Sequence, residues 1–227
     1  MTESPGRPAA FFDLDRTLIR VNSAFLYAKH ERRAGRISKR QFLKASAWMA
    51  LYHLSVVDIE RAFAEAVRHY RGQSADELHE RTRVFFDHHV LPTVQPGSRA
   101  ALEHHRSQDH PLVLLTASSP FLSKLAAEHW ELDAWLSNQF PIDEQGLLCG
   151  TFERPICYGK GKVHHAEHWA RQAGVDLDAS YFYTDSYSDL PMLRRVGHPR
   201  VVNPDPRLRK EALRRGWTIE DWSRPGL

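Results

Sequence analysis

The chain has 227 residues, 42% of them hydrophobic, enough to bury one sizeable core or a core with a smaller appended unit. A formal net charge of only +3, with the basic residues spread along the chain, gives no sign of a nucleic-acid partner and suits a protein that handles small anions. Two cysteines, Cys149 and Cys157, cannot build a disulfide framework. Residues 1–10 hold no signal-peptide apolar core, and no apolar run reaches ~18 residues, so a cytoplasmic protein without stable membrane insertion is expected.

Residues 9–14 form a short apolar run that ends in acidic residues, the pattern of a buried parallel strand with polar groups at its carboxyl end. Residues 21–90 read differently. They carry almost no β-signal and no proline, and are rich in Ala, Leu, Arg, Glu and Phe. The spacing predicts amphipathic helices around 42–52, over 58–70 and over 75–90, with a loop and N-cap at Arg71-Gly72-Gln73-Ser74. Pro92, Pro96 and Gly97 mark the return to a second type of structure.

From there the pattern alternates. Strands are expected at 111–116, 181–185 and 200–203, and helices at 119–131, 162–174 and 190–196. Such alternation implies an α/β fold with a parallel sheet, whose ligands bind at the carboxyl ends of the strands. Asp13, Thr116 and Asp185 fall at those ends.

Asp13 and Asp15 are carboxylates one residue apart, able to hold a divalent cation or to divide the work of nucleophile and proton donor. Asp185 is placed as a second carboxylate ligand; Asp189 reads either as an outer orienter or as the N-cap of the helix starting at Leu190. Thr116, followed by Ala117, Ser118 and Ser119, offers a hydroxyl and helix-start N–H groups for an anion. Lys160 and Lys162 lie in Gly159-Lys160-Gly161-Lys162, where glycine lets backbone come close and a lysine can meet a phosphate. His164, His165, Glu167 and His168 match an H-x-x-E-H zinc pattern, but in an α/β helix solvated histidines are the simpler reading.

In this order the motifs resemble the haloacid dehalogenase-like hydrolase superfamily. Asp13-Leu14-Asp15-Arg16-Thr17 resembles its D-x-D-x-[TV] motif, Thr116 its second-motif hydroxyl, Lys162 its lysine, and Asp185 with Asp189 its D-x-x-x-D pair. Lys162 fits better than Lys160 because it stands 185 − 162 = 23 residues before Asp185. One departure is Thr184, where the family often has glycine. The chain looks most like the phosphoserine phosphatase-related subfamily IB.

The resemblance implies a three-layer αβα Rossmann-like core from residues 1–20 and 92–227, and a helical C1 cap over 21–91 inserted after the first strand. It further implies a Mg²⁺-dependent phosphomonoester hydrolase acting on a small phosphorylated metabolite. In that scheme Asp13 forms an aspartyl-phosphate and Asp15 serves as acid and base. Asp13, Asp185, the Asp15 backbone carbonyl and Asp189 are the implied metal residues; Thr17, Thr116, Ala117, Ser118 and Lys162 the phosphate residues. Asn22 occupies the position where phosphoserine phosphatases usually carry a glutamate for the substrate's amino group, and an uncharged side chain binds ammonium poorly. A phosphomutase or phosphotransferase, a phosphatase of a lipid-like phosphate, and a non-catalytic binding protein are the alternatives. A signalling receiver domain would be about half as long, without a helical insert.

Overall fold

A computed structural model describes residues 6–43 and 59–224. Among them six strands form one parallel sheet in the order β3-β2-β1-β4-β5-β6. They are β1 (Ala10–Phe12), β2 (Leu112–Leu115), β3 (Ala134–Leu136), β4 (Tyr181–Thr184), β5 (His198–Val202) and β6 (Thr218–Glu220). This is the doubly wound Rossmann-like order. Its direction reverses between β1 and β4, and the crevice there, outside the carboxyl ends of the strands, is where such sheets bind ligands.

The centre of the sheet is buried on both faces because β1 and β2 are apolar throughout, and alternate residues serve opposite layers. Phe12, Leu112, Leu114, Tyr183 and Val202 pack with Leu102 of α4 (Ser98–Arg106) and Leu122, Leu125 and Ala126 of α5 (Pro120–His129). Phe11, Val113, Leu115, Phe182 and Val201 pack on the other side. There they meet Ala166 and Ala170 of α6 (Lys160–Ala173), Met192 and Leu193 of α7 (Leu190–Leu193), and Leu208 and Ala212 of α8 (Pro206–Arg215). Each fully buried phenylalanine contributes roughly 1.5–3 kcal/mol. Phe12 stacks on Tyr183, ring centroids 4.8 Å apart, and Phe11 meets Trp169 edge-on at 5.6 Å, so the residues just before the reversal point are rigidly seated.

Between β1 and β2 the regular elements of the described residues are helices, as the absence of β-signal implied. The helices here are α1 (Ser23–Arg33), α2 (Ile59–Arg68) and α3 (Ala75–Phe85); a further one opens at residue 39. That opening has a capping box: Ser38 Oγ accepts from the Gln41 N–H at 3.2 Å, and Gln41 Oε1 accepts from the Ser38 N–H at 2.7 Å. Most of the expected 42–52 helix lies outside the described residues. Ser74 caps α3, its hydroxyl accepting from the Glu77 N–H. The expected helix over 75–90 ends its α-helical part at Phe85 and continues as a π-helical turn, Phe86–Val90, then a 3₁₀ turn, Leu91–Thr93. No helix of the described residues is long and apolar enough to cross a membrane.

Two edge strands, β3 and β6, escape the hydrophobic pattern because each has only three residues, partly exposed. Residues 139–152, after β3, pack on the helical insert rather than on the sheet. Phe140 and Leu148 join Val67 and Leu78 in one cluster, and Leu148 exchanges backbone hydrogen bonds with Gly72 and Gln73.

Candidate active site

The ends of β1, β2 and β4 bring the predicted residues together. Asp13 directly follows β1, and its N–H donates to the Tyr183 carbonyl at 2.9 Å, extending the sheet ladder by one residue. Thr116 follows β2 and is held likewise, its N–H donating to the Leu136 carbonyl at 3.0 Å. Asp185 follows β4 and accepts at its carbonyl from the Asp205 N–H. All three side chains are buried.

Lys162 enters from α6. Its Nζ lies 3.0 Å from Asp13 Oδ1 and 2.8 Å from Asp189 Oδ2, and the side chain is buried. Lys160, two residues earlier, is exposed. Gly161 permits this entry for a reason other than ligand approach: a Cβ there would stand 1.8 Å from the Ile156 carbonyl oxygen. The preceding loop therefore closes tightly on the helix start and turns Lys162 inward.

Asp189 does not act as the N-cap that its position before α7 suggests. Its side chain makes no capping bond. It is drawn inward by Lys162 and by the Thr184 hydroxyl, which donates to Oδ2 at 2.7 Å. Asn22 is the N-cap of α1, its Oδ1 accepting from the Phe25 N–H at 2.9 Å, so its side chain serves the helix. Asp15 accepts at Oδ1 from the Ser23 N–H at 3.0 Å. Asp15, Asp189 and Asp13 thus each have a partner, whereas Asp185 makes no side-chain hydrogen bond or ion pair among the described residues.

The second loop is a run of hydroxyls. Thr116 Oγ1 lies 3.3 Å from Ser118 Oγ and accepts from the Ser118 N–H, and Ser118 Oγ lies 3.4 Å from Ser23 Oγ. Ser119 caps α5, which leaves Ser118 free of that duty. Ala117 lends its carbonyl to Asn138 Nδ2 at 2.6 Å, while Asn138 Oδ1 accepts from the Cys157 N–H at 2.8 Å. Thr17 is buried and its hydroxyl has no partner among the described residues. Arg16 stands between these groups with φ of 59°, a left-handed conformation that costs a non-glycine residue about 1–2 kcal/mol.

The electrostatics follow from crowding. Burial lifts Asp13 to about 7, with the Lys162 charge opposing and the Asp189 and Asp15 charges adding to the rise. Burial likewise raises Asp185 well above the usual carboxylate range, reinforced by Asp13 and Asp189. Asp15 is raised by burial, moderated by the Ser23 hydrogen bonds. Burial would lower Lys162, but the Asp13 and Asp189 charges outweigh it and hold the ammonium charged. Lys162 moves as an ion-paired lysine should while its partner Asp13 does not, because for Asp13 the cost of burying the charge outweighs the Lys162 attraction, with the neighbouring Asp189 and Asp15 charges adding to the rise. Cys157, buried nearby, has its thiol pushed up to about 12, mainly by burial, so it stays protonated.

The histidine pattern on α6 gathers no metal site. His165 Nε2 bonds the Pro155 carbonyl, Glu167 pairs with Arg195, and His168 Nε2 bonds the Gln172 amide. Among the described residues, no three or more His, Cys, Asp or Glu side chains form a ready metal cluster. Sequence reading missed Ser23, Asn138 and the use of Thr184. Only Ser23 had a usable signal, the Asn22-Ser23 helix start.

A buried carboxylate–lysine cluster at the reversal point of a doubly wound α/β sheet suits a site that binds a small anion or a cation. The haloacid dehalogenase-like hydrolase family model matches residues 10–194, and the chain belongs to that family. It is 32% identical over 232 residues to a Mycobacterium tuberculosis protein named probable phosphatase, covering 99% of this chain and 78% of that one. It is 30% identical to the inhibition of morphological differentiation protein of Streptomyces azureus (96% and 80% covered), and 25% identical to a histidinol-phosphatase of Neisseria meningitidis (92% and 96%). A solved structure of a Bordetella pertussis protein of unknown function superposes with a TM-score of 0.86 at 26% identity, covering 96% of this chain and 99% of that one. A phosphoserine phosphatase structure shares the fold at a TM-score of 0.70 and 15% identity, covering 96% and 94%.

Proposed function

We propose that this enzyme is a Mg²⁺-dependent phosphomonoesterase that transfers the phosphoryl group of a small organic phosphate to Asp13 and then to water. The observation that carries it is Asp13 itself: a carboxylate buried at the reversal point, 3.0 Å from a charged buried lysine.

The donor set suits a hard divalent cation. Among the described residues, Asp185 is buried without a side-chain partner, Asp189 Oδ1 is buried and unpartnered, and the clustered carboxylates outnumber the buried lysine. Oxygen ligands with retained waters are what Mg²⁺ takes. Asp13, Asp185 and the Asp15 backbone carbonyl would hold it, with Asp189 behind them. When bound, it offsets the repulsion between an anionic nucleophile and an anionic phosphate.

Each residue then has a separable task. Lys162 has three N–H donors, two directed at Asp13 and Asp189, which leaves one for a phosphoryl oxygen. Thr116 and Ser118 offer hydroxyls, and the loop after β2 offers N–H groups, for the other oxygens. Asp13 attacks phosphorus. Asp15 gives its proton to the leaving alkoxide, then takes one from the water that opens the aspartyl-phosphate. Its raised affinity for a proton suits the first step. Residues 21–91, with 139–152 packed on them, would act as the cap over the leaving group.

The test is phosphate release from p-nitrophenyl phosphate with and without Mg²⁺, followed by a panel of phosphoserine, histidinol phosphate, sugar phosphates, nucleotides and lysophosphatidate. The histidinol-phosphatase relative makes histidinol phosphate a natural member. No Mg²⁺-dependent release across the panel would return the chain to a binding role.

A further inference from the structure

We propose that Thr184 is a positioning residue for the phosphate-binding lysine, acting through Asp189. The inference rests on the phosphatase reading of the site.

Thr184 is the last residue of β4 and fully buried. Its hydroxyl is used twice: it donates to Asp189 Oδ2 at 2.7 Å and accepts from the Ser186 N–H at 3.3 Å. The same Oδ2 receives Lys162 Nζ at 2.8 Å, and that Nζ reaches Asp13 Oδ1 at 3.0 Å. Thr184, Asp189, Lys162 and Asp13 thus form one continuous polar chain from the strand end to the nucleophile. A glycine, which the resemblance leads one to expect at this position, could supply neither bond.

The need for such a device follows from what else holds Asp189. Its side chain makes no capping bond to α7, and Oδ1 is buried with no partner. Thr184 and Lys162 are therefore the only side chains donating to this carboxylate among the described residues. Lysine is a flexible stem with a compact charge, and its head goes where the surrounding carboxylates put it. Take away the Thr184 hydroxyl, and Asp189 keeps Lys162 as its one donor. Its carboxylate is free to rotate, and the lysine is drawn toward Asp189 at the expense of Asp13 and of a phosphoryl oxygen. Thr184 in effect takes up part of the hydrogen-bonding capacity of Asp189 and so leaves Lys162 poised between two acids.

The experiment compares wild type, Thr184→Val and Thr184→Ser in the full chain. It reads kcat and KM for p-nitrophenyl phosphate with Mg²⁺, and separately the affinity for inorganic phosphate by calorimetry. Valine keeps the branched shape and removes the hydroxyl; serine keeps the hydroxyl. Valine is expected to weaken phosphate binding about tenfold, while serine stays close to wild type. In an Asp189→Asn background the valine change should have no further effect, the signature of action through that residue. Wild-type phosphate affinity in Thr184→Val overturns the proposal. So does an equal defect in Thr184→Ser, or an undiminished effect in the Asp189→Asn background. Should valine fail to fold, Thr184→Ala takes its place under the same criteria. If wild type releases phosphate from no ester, the functional reading fails instead, while the calorimetric comparison still decides the role of Thr184.

Discussion

The backbone N–H of Ser23 donates to Asp15 Oδ1 at 3.0 Å, so the first residue of α1 holds the carboxylate that stands two positions after Asp13. A helix begins with N–H groups that have no partner inside it, and Asn22 satisfies only one of them, that of Phe25. Asp15 takes another. The proposed acid and base is thereby tied to the helical insert rather than to the sheet, and its orientation depends on where α1 sits.

That dependence can be cut at one atom. Ser23→Pro removes the N–H, yet proline fits the first helical position, and Asn22 already has the extended backbone (φ −87°, ψ 113°) that a following proline favours. Ser23→Ala keeps the N–H and serves as the control. The proline variant is expected to lose about tenfold in kcat relative to alanine, the scale of a charge-assisted bond that orients a proton donor. Equal rates for the two variants would detach Asp15 from α1.

Asp13→Asn should abolish turnover, by about a thousandfold or more, while the fold persists. The persistence has a specific cause: the amide keeps an oxygen for Lys162 and removes one charge from a cluster with too many carboxylates. The melting temperature of the metal-free variant should therefore match or exceed that of wild type. Near-wild-type turnover would remove Asp13 as nucleophile.

Much of this arrangement was legible in the sequence. The apolar strands ending in Asp13, Thr116 and Asp185 follow from patterning alone, because a parallel strand buried on both faces is apolar along its length. The partition of side chains was less so. Whether Asp189 caps a helix or binds a lysine depends on which competing donor reaches it, and Lys162 arrives from 27 residues away in sequence. The strands β3 and β6 were hidden by brevity, and the packing of 139–152 on α2 and α3 is a long-range contact with no local signal. Asn22 stands at a position that the family resemblance ties to the substrate, but the helix that starts one residue later gives its side chain a capping task no motif shows.

Lys162→Met should destabilise the metal-free protein by about 3–5 kcal/mol at pH 8, since it strands Asp13 and Asp189 in the interior without a counterion. The sign with pH is fixed by Asp13. Its pKa in the folded protein is already raised to about 7 with the lysine present, and losing the lysine raises it further. A carboxyl raised above its unfolded value makes the folded state bind more protons, so folding strengthens as pH falls through that window. The deficit of the variant should shrink at pH 5. Urea unfolding at both pH values measures it, and an identical deficit at each would show that the loss is one of packing rather than of charge.

His105 sets the opposite trend. It is buried under β4, with Nε2 2.9 Å from the Tyr183 hydroxyl and Nδ1 2.9 Å from His110 Nδ1. Burial lowers its pKa to about 3, with the His110, His104 and Arg200 charges adding to the fall. An unfolded chain would protonate this imidazole near 6.5, whereas the folded one does not until about 3. Stability is therefore fully present above pH 6.5 and is lost as pH falls from there toward 3. His105→Gln removes the titration and can still offer a hydrogen bond to Tyr183, whose ring stacks on Phe12 one residue before Asp13. Denaturant unfolding at pH 7.5 and 5 should show wild type losing more stability between the two than the variant does. The Asp13 contribution, of contrary sign, is common to both proteins and cancels in the comparison. If both lose the same amount, His105 takes up its proton over the same pH range in the folded and unfolded chain, and burial does not hold it neutral.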